Sequence, residues 1–332
     1  MEQTADDPCK VNFVERTRHL FVDVAQAGAI GTGARPARRA VFRKTHGVVY
    51  ARLNLDPARP ASLRAGLFSY DSYEAWVRFS SDVAPTESDA DLGTIGIGIK
   101  LFGVGSPTLA DIDPDSPTGD LLLQNHDVFF VDTGPDMCSF TDLALKGRVD
   151  EWYATHPRTK EILAEMKKRE ESVLTTVLWS VLPYACGDIP AVKYRLLPRS
   201  TGPSLSPDSD PNRLRSDLKQ RLLAGGATFD FALQIPRDGI SPPVDQATVR
   251  WGEVDAPFTV VGTLDIPKQD VGVEGQETYG DTLAFAPWRV PEANRPLGSI
   301  AESRRAAYPS SAATRHRVNG TPDAEPHIPR TP

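Results

Sequence analysis

Two residues near the end of the chain, Arg304 and Tyr308 in ESRRAAYPSS, stand four apart. On a helix that spacing sets a guanidinium over a phenol. A free tyrosine titrates near ~10, and a cation held beside it favours the phenolate. A phenolate is a hard anionic donor suited to ferric iron. An ordinary Arg/Tyr contact on a surface helix is the plainer reading of the pair taken alone. Ser299 and Glu302 fit an S-x-x-E capping box, which predicts a helix beginning there. Pro309 biases that helix to stop or bend after Tyr308.

The second candidate is His46 in FRKTHGVVYARLNL, with Arg43 three residues earlier and Thr45 and Gly47 as neighbours. The segment reads as a strand, with Val49, Ala51, Leu53 and Leu55 on one face. A histidine at the mouth of a strand is, by itself, more often a satisfied core residue than a catalyst. In WVRFS, Trp76, Arg78 and Ser80 share one strand face. An arginine on an apolar strand needs a counter-charge, supplied by the chain or by a cofactor carboxylate. Gln124 and Asn125 precede VFFV, which sets a polar amide beside an aromatic wall that includes Phe129.

These residues must be carried by a mixed set of elements. A helix is predicted from about Asn12 to Ala27 and another from roughly Arg158 to Leu178. NRLRSDLKQRLLAGG gives a short helix carrying Leu214, Leu218 and Leu222 and ending at Gly225. Strands are predicted at THGVVYARLNL, YEAWVRFS, TIGIGIKLF, DVFFV, AVKYRLLP, ATFDFALQI and FTVVGTLDI. Strands at hairpin-like spacing with a few helices predict a mostly antiparallel sheet or barrel in an α+β protein. Gly96 and Gly98 lack the third glycine and the helix of a dinucleotide loop. They share a strand face, which marks either a bulky group against the backbone or a bulge with close sheet packing. The polar, Pro-rich stretch 321–332 is expected to be a disordered tail.

Composition narrows the function classes. The 332 residues carry a net charge of -7 and no basic block, which argues against nucleic acid as the main partner. No run of 18 apolar residues predicts a transmembrane helix, and the N-terminus does not read as a secretory signal. Cys9, Cys138 and Cys186 are few, far apart and odd in number. Neither a zinc site nor a disulfide framework is expected from them, and a cytoplasmic location is the default. The six histidines include no H-E-x-x-H pair, so zinc hydrolysis has no support.

Taken in order, the segments resemble the haem catalases, and more closely the short catalase-related haem proteins. RKTH is similar to the distal histidine segment, VRFS to the strand with a propionate-binding arginine, and GIGIK to the strand that follows. QNHDVFFV resembles the distal amide and Phe-Phe segment, RRAAYP the proximal Arg-x-x-x-Tyr-Pro, and RHRV the basic segment after it. The resemblance covers residues 40–320, with residues 1–39 as an N-terminal helix and lead-in. It implies a catalase-like fold in a minimal single-domain form: a closed antiparallel β-barrel with surrounding helices, holding haem b. Tyr308 would be the axial ligand of the iron, with Arg304 beside it. Arg43, Arg78 and Arg317 would pair with the propionates. His46 would be the acid-base group, held by Thr45 or Ser80. Asn125, in preference to Gln124, would orient the peroxide, and Phe129 would wall the pocket.

The departures also carry information. Thr45 and Gly47 flank His46 where catalases have valine and alanine, and Ile95 replaces an arginine. The threonine is similar to that of allene oxide synthase-like members and implies poor dismutation of hydrogen peroxide. The expected activity is peroxidation of organic hydroperoxides, fatty-acid hydroperoxides among them, with a small-molecule electron donor. The alternatives are a true catalase, a hydroperoxide lyase or allene oxide synthase type, a tailoring oxygenase, or a non-catalytic haem or lipid barrel. The arm-exchanged tetramer of catalases is not expected, which leaves a homodimer as the assembly considered.

Overall fold

The computed structural model describes residues 7–33 and 35–332. Among the described residues there are nine strands: β1 (Lys44–Leu55), β2 (Ser72–Ser81), β3 (Ile95–Phe102), β4 (Thr118–Gln124), β5 (Leu178–Trp179), β6 (Tyr184–Cys186), β7 (Ile189–Pro198), β8 (Ala227–Gln234) and β9 (Phe258–Ile266). They form one sheet in the order β5-β4-β3-β2-β1-β9-β8-β7-β6, and the extra β5–β7 pairing closes it. With β6 hanging outside the ring, nine less one leaves eight strands in an antiparallel barrel. Eight strands enclose a space that side chains just fill.

The alternation read from the sequence governs this core. Val49, Ala51, Leu53 and Leu55 point inward, opposite Val77, Ala75 and Tyr73 of β2, and meet Phe79, Ile97, Ile99, Phe229 and Phe231. Each fully buried side chain of this kind contributes roughly 1.5–3 kcal/mol. Leu214, Leu218 and Leu222, at helical spacing, join the same cluster from a helix spanning Arg213–Ala224 and close one mouth of the barrel. Gly47 is required there, because a Cβ on it would lie 2.5 Å from Leu218 Cδ2.

The outer face of β1–β3 is covered by a second cluster of Val48, Trp76 and Phe102 with Leu283, Tyr279 and Phe285. Here the two glycines of β3 find their reason. A Cβ on Gly96 would meet the Phe42 ring at 2.5 Å, and one on Gly98 the Phe285 ring at 2.9 Å. The β2–β3 register is unbroken across both residues, so close aromatic approach, and not a bulge, explains them.

The helices in chain order are α1 (Pro8–Val11), α2 (Phe13–Arg18), a π-helical stretch (His19–Gln26), α3 (Ala27–Gly31), α4 (Gly134–Leu145), α5 (Val149–Thr155), α6 (Pro157–Met166), α7 (Arg213–Ala224), α8 (Gln276–Thr282) and α9 (Ser299–Asn319). Helix α9 runs through Pro309 instead of stopping there. Packing against the α2 layer holds its two halves in line despite the hydrogen bond that proline removes. Its N-cap is Gly298, and Ser299 donates to Asp245, so the expected capping box does not form. A capping box is present instead at Thr133–Asp136, opening α4. The helix expected over 158–178 ends at Met166. DVFFV is irregular and not a strand: Val128 packs with Ile162 and Met166, while Phe129 and Phe130 stack on each other beside Phe140. A short apolar run does not by itself distinguish a strand from a buried coil.

The cysteine expectation is overturned. Cys9 and Cys138 form a disulfide across 129 residues, with Cα atoms 5.5 Å apart, and tie α1 to α4. Closing a loop of that length stabilises by about 4–5 kcal/mol in the chain-entropy account. No local spacing announces a pair brought together only by packing. The argument for a reducing cytoplasm falls with it. No helix is long and apolar enough to cross a membrane among the described residues.

Residues 321–332 carry no helix or strand, yet they dock on the barrel. Glu325 Oε2 lies 2.7 Å from Lys100 Nζ, which also holds Asp120 at 2.8 Å. Trp76 Nε1 donates to the Arg330 carbonyl at 3.2 Å. Disorder was expected from composition, and buried ion pairing with Lys100 is what overrides it.

Candidate functional site

Helix α9 places Arg304 and Tyr308 on one face. Arg304 Nη2 donates to Tyr308 Oη at 2.7 Å, and the guanidinium carbon stands 4.9 Å from the ring centroid. Burial opposes the Arg304 cation, but the Tyr308 and Tyr184 oxygens outweigh it and raise its pKa. Beside Tyr308 lies a cavity of about 30 Å³, bounded by Phe285, Arg289, His316 and the docked Asp323 and Glu325.

A second group, of arginines, gathers near Asp281 and the Leu283 carbonyl. Arg78, on the outer face of β2, donates through Nη2 to the Phe42 carbonyl at 2.9 Å and to Thr45 Oγ1 at 2.7 Å. Arg315 donates through Nη2 to the Leu283 carbonyl at 3.1 Å, which also accepts from Arg39 Nη2 at 2.5 Å. Arg38 pairs with Asp281 at 2.8 Å, and Arg39 lies 3.9 Å from the same carboxylate. Burial pushes the Arg78 pKa down to about 9 and the Arg315 pKa down to about 10. Arg39 falls as well, from burial first and then from Arg315 and Arg78. Arg78 Nε and Arg315 Nε are buried without a hydrogen-bond partner. Several guanidiniums therefore share few anions in a dry region, and the local charge is positive.

A polar row crosses the outer face above Arg78. The register aligns Thr45 with Ser80, Ser80 with Gly96, and Gly96 with Gln124. Ser80 Oγ donates to the Gly96 carbonyl at 3.3 Å, and Gln124 Nε2 is buried without a partner.

His46 sits apart from that row. The β1–β2 register shifts between Thr45 and Gly47, so His46 is the extra residue of a bulge. Its Nε2 lies 3.1 Å from Ser81 Oγ and its Nδ1 3.8 Å from Asp89 Oδ2, with the ring fully buried. Burial lowers its pKa to about 3; Asp89 opposes this, and Lys44, Arg78 and Arg215 reinforce it. The hydroxyl on the imidazole is thus Ser81, whereas Thr45 and Ser80 engage Arg78 and Gly96. Asn125 is fully buried and its amide is committed: Oδ1 accepts from Ile95 N at 3.0 Å and Nδ2 donates to Glu170 Oε1 at 2.8 Å. Phe129 lies in the cluster beside α4.

The structure joins Arg304 to Tyr308 and, as a separate group, Arg78 to Arg39 and Arg315, the last two of which the sequence reading did not single out; Phe285 faces both, lying under Arg39 and lining the cavity beside Tyr308. Arg317 is exposed on α9. Arg43 is half-buried and makes no ion pair among the described residues.

The arrangement fits a flat, dianionic macrocycle by its donor set. Unpartnered guanidinium nitrogens match carboxylates and a phenol paired to a cation matches ferric iron, while the Phe42 and Phe285 rings already fill the space over the glycines of β3. Its volume is a separate matter. The cavity is far below the roughly 300–1,000 Å³ of ligand pockets, so Phe285 and the tail around Glu325 must shift to admit such a group.

No family model matches the chain. It is 27% identical over 325 residues to a catalase-related peroxidase of Mycolicibacterium paratuberculosis, covering 92% of this chain and 98% of that one. Among solved structures it is similar to a fungal catalase, with a TM-score of 0.67 and 14% identity over 88% of this chain and 63% of that one. A bacterial catalase gives 0.67 and 16%, over 87% of this chain and 59% of that one. Catalase A of Saccharomyces cerevisiae gives 0.67 and 13%, over 88% and 65%. The chain thus spans about three-fifths of the length of the catalases it matches and nearly all of the peroxidase. The eight-stranded closed barrel and these likenesses give the chain a catalase-like fold and a similarity to a catalase-related peroxidase over nearly its whole length.

Proposed function

We propose that the protein binds haem b through Tyr308 and reduces organic hydroperoxides with electrons from a small-molecule donor. The observation that carries the reading is the buried guanidinium group with unpartnered Arg78 Nε and Arg315 Nε, together with the Arg304–Tyr308 pair on the helix that carries Arg315. When bound, the haem would supply the redox chemistry: ROOH takes two electrons and two protons to give ROH and water. The chain's own residues supply the rest. Arg304 donates to the Tyr308 oxygen and would orient it as a ligand. Arg39, Arg78 and Arg315 hold the carboxylates and orient the ring. Gln124, whose amide nitrogen is free where that of Asn125 is committed, orients the hydroperoxide. His46, kept neutral by burial, takes and returns the proton at Nε2. Phe285 and Ala284 line the cavity beside Tyr308 with apolar surface, which supports an organic substrate and exclusion of water.

The test is to purify the protein with haem supplied, record its spectrum, and compare turnover of a lipid hydroperoxide with that of hydrogen peroxide. A Tyr-ligated ferric spectrum that disappears in Tyr308→Ala, with faster turnover of the lipid hydroperoxide, is expected. A chain that takes up no haem refutes the reading. His46→Ala is expected to keep the spectrum and lose turnover, and unchanged kinetics would move the acid-base role elsewhere.

A further inference from the structure

Glu325, on the docked tail, is held as a ligand would be. Its Oε2 lies 2.7 Å from Lys100 Nζ and its Oε1 3.6 Å from Arg289 Nη2. Lys100 also holds Asp120 at 2.8 Å, and Arg289 Nε stands 4.0 Å from that carboxylate. All four side chains are buried. Two cations thus face two carboxylates, and the charges balance only while Glu325 is in place. The other basic side chains lining the cavity beside Tyr308 are committed elsewhere, Arg305 to Asp111 at 3.1 Å and His316 to Asp323 at 3.0 Å.

The two carboxylates differ in what carries them. Asp120 belongs to β4, and its Oδ2 also accepts from Ala286 N at 2.9 Å. Glu325 belongs to a segment without helix or strand, whose one large aliphatic side chain, Ile328, is exposed. Beyond Glu325 the segment is held by single contacts: Asp323 on His316, the Arg330 carbonyl on Trp76 Nε1, and Arg330 Nη2 on the Glu274 carbonyl. A segment with few apolar contacts opens at low cost. Its withdrawal, however, strands a buried cation without a partner. An anion that takes the vacated position removes that cost, which makes tail release and anion entry one exchange.

A second observation marks the position as a binding site. Arg289 Nε is buried without a hydrogen-bond partner among the described residues, although both Nη atoms donate to the Ile112 and Asp113 carbonyls. Arg289 and Glu325 both line the cavity beside Tyr308, whose other walls include Ala284, Phe285, Trp288 and Ala312. At about 30 Å³ that cavity admits no organic ligand while the tail is docked. Asp323, Ala324 and Glu325 form one of its walls. The exchange that vacates the carboxylate position therefore also makes the room.

We propose that Lys100 and Arg289 form a binding site for a carboxylate carried on an apolar body, and that Glu325 occupies it as an internal competitor. Binding displaces the tail and opens the cavity beside Tyr308. A fatty acid and the haem itself both offer this chemistry, and the experiment separates them.

The experiment titrates the full chain, free of haem and labelled with ¹⁵N-tryptophan, with decanoate and with methyl decanoate. Trp76→Phe assigns the Trp76 indole signal, which reports the bond to the Arg330 carbonyl. Decanoate is expected to bind and to move that signal, and the ester to do neither. Glu325→Gln keeps the shape of the competitor without its charge and should tighten decanoate binding about 10-fold. Lys100→Met/Asp120→Asn removes one charge of each sign, leaves Arg289 facing Glu325, and should weaken decanoate binding by about the same factor. The same titrations with haem and its dimethyl ester separate the sources: a gain in Glu325→Gln confined to haem assigns the site to a haem carboxylate. A gain with neither acid, esters that bind as well as their acids, or an unmoved Trp76 signal in the bound chain overturns the proposal. The decanoate arm needs no haem, so failure of the peroxidase reading shows in the haem spectrum and stays distinguishable.

Discussion

Replacing Arg78 with methionine should make the ligand-free protein more stable and the haem complex weaker. Arg78 is 4% exposed, and burial pushes its pKa well below the ordinary arginine value, to about 9. At about 1.36 kcal/mol per unit, holding the cation in that place costs about 5 kcal/mol. Against this stand the two hydrogen bonds to the Phe42 carbonyl and Thr45 Oγ1. Bonds to a charged group contribute about 1.5–3 kcal/mol each, and the lower figure applies because both acceptors are neutral. The difference is a gain of about 2 kcal/mol for Arg78→Met, within the range of about 1–4 kcal/mol found when buried ions give way to apolar side chains.

Urea unfolding of the two chains without haem measures the gain, and a raised midpoint at unchanged slope is the expected result. Titration with haem and with its dimethyl ester measures the other half. A carboxylate on Arg78 is a charge-assisted contact, and its loss should weaken haem binding about 10- to 100-fold, the equivalent of about 1.5–3 kcal/mol. Binding of the ester should change little between the two chains. If Arg78→Met destabilises by more than about 1 kcal/mol, the guanidinium is already satisfied. Equal haem affinity in both chains refutes the assignment of this arginine to the carboxylates.

Two further outcomes follow from the same geometry. His46 has its pKa lowered from 6.5 to about 3, so the unfolded chain binds more protons between those values and stability falls as pH drops through that window. Between pH ~7 and ~4.5 the loss assigned to this ring is about 2–3 kcal/mol, and His46→Gln should flatten that part of a pH series of urea midpoints; an unchanged slope counts against a neutral buried ring. Truncation after Gly320 removes Glu325 from Lys100 and opens the cavity beside Tyr308. Stopped-flow haem uptake should speed up several-fold while the melting temperature falls, and an unaltered uptake rate would show that the tail does not gate entry.

Which of these groups the sequence disclosed depends on how far each is from a local rule. The Arg304–Tyr308 contact is legible because an i, i+4 spacing is a property of the helix alone. The inward residues of β1 are legible because the strand period is two until something breaks it. A bulge breaks it at His46. One extra residue turns the imidazole to Ser81 and Asp89, so the serine chosen from the strand face, Ser80, is off by one. The same parity separates the two amides. Gln124 still lies in β4 and faces outward with Gly96, whereas Asn125 falls just past its end and folds back onto Ile95. On α9 the error has another source. A helix stopping at Pro309 carries no phase beyond Tyr308, and Arg317 then looks as good as Arg315. A helix continuous through the proline repeats its face about every 3.6 residues. Arg315, seven residues after Tyr308, therefore returns to the buried side, and Arg317, nine residues after it, turns to solvent. Each difference in placement is one of phase by one or two residues, and each traces to an interruption that tertiary packing either imposed, as at His46, or absorbed, as at Pro309.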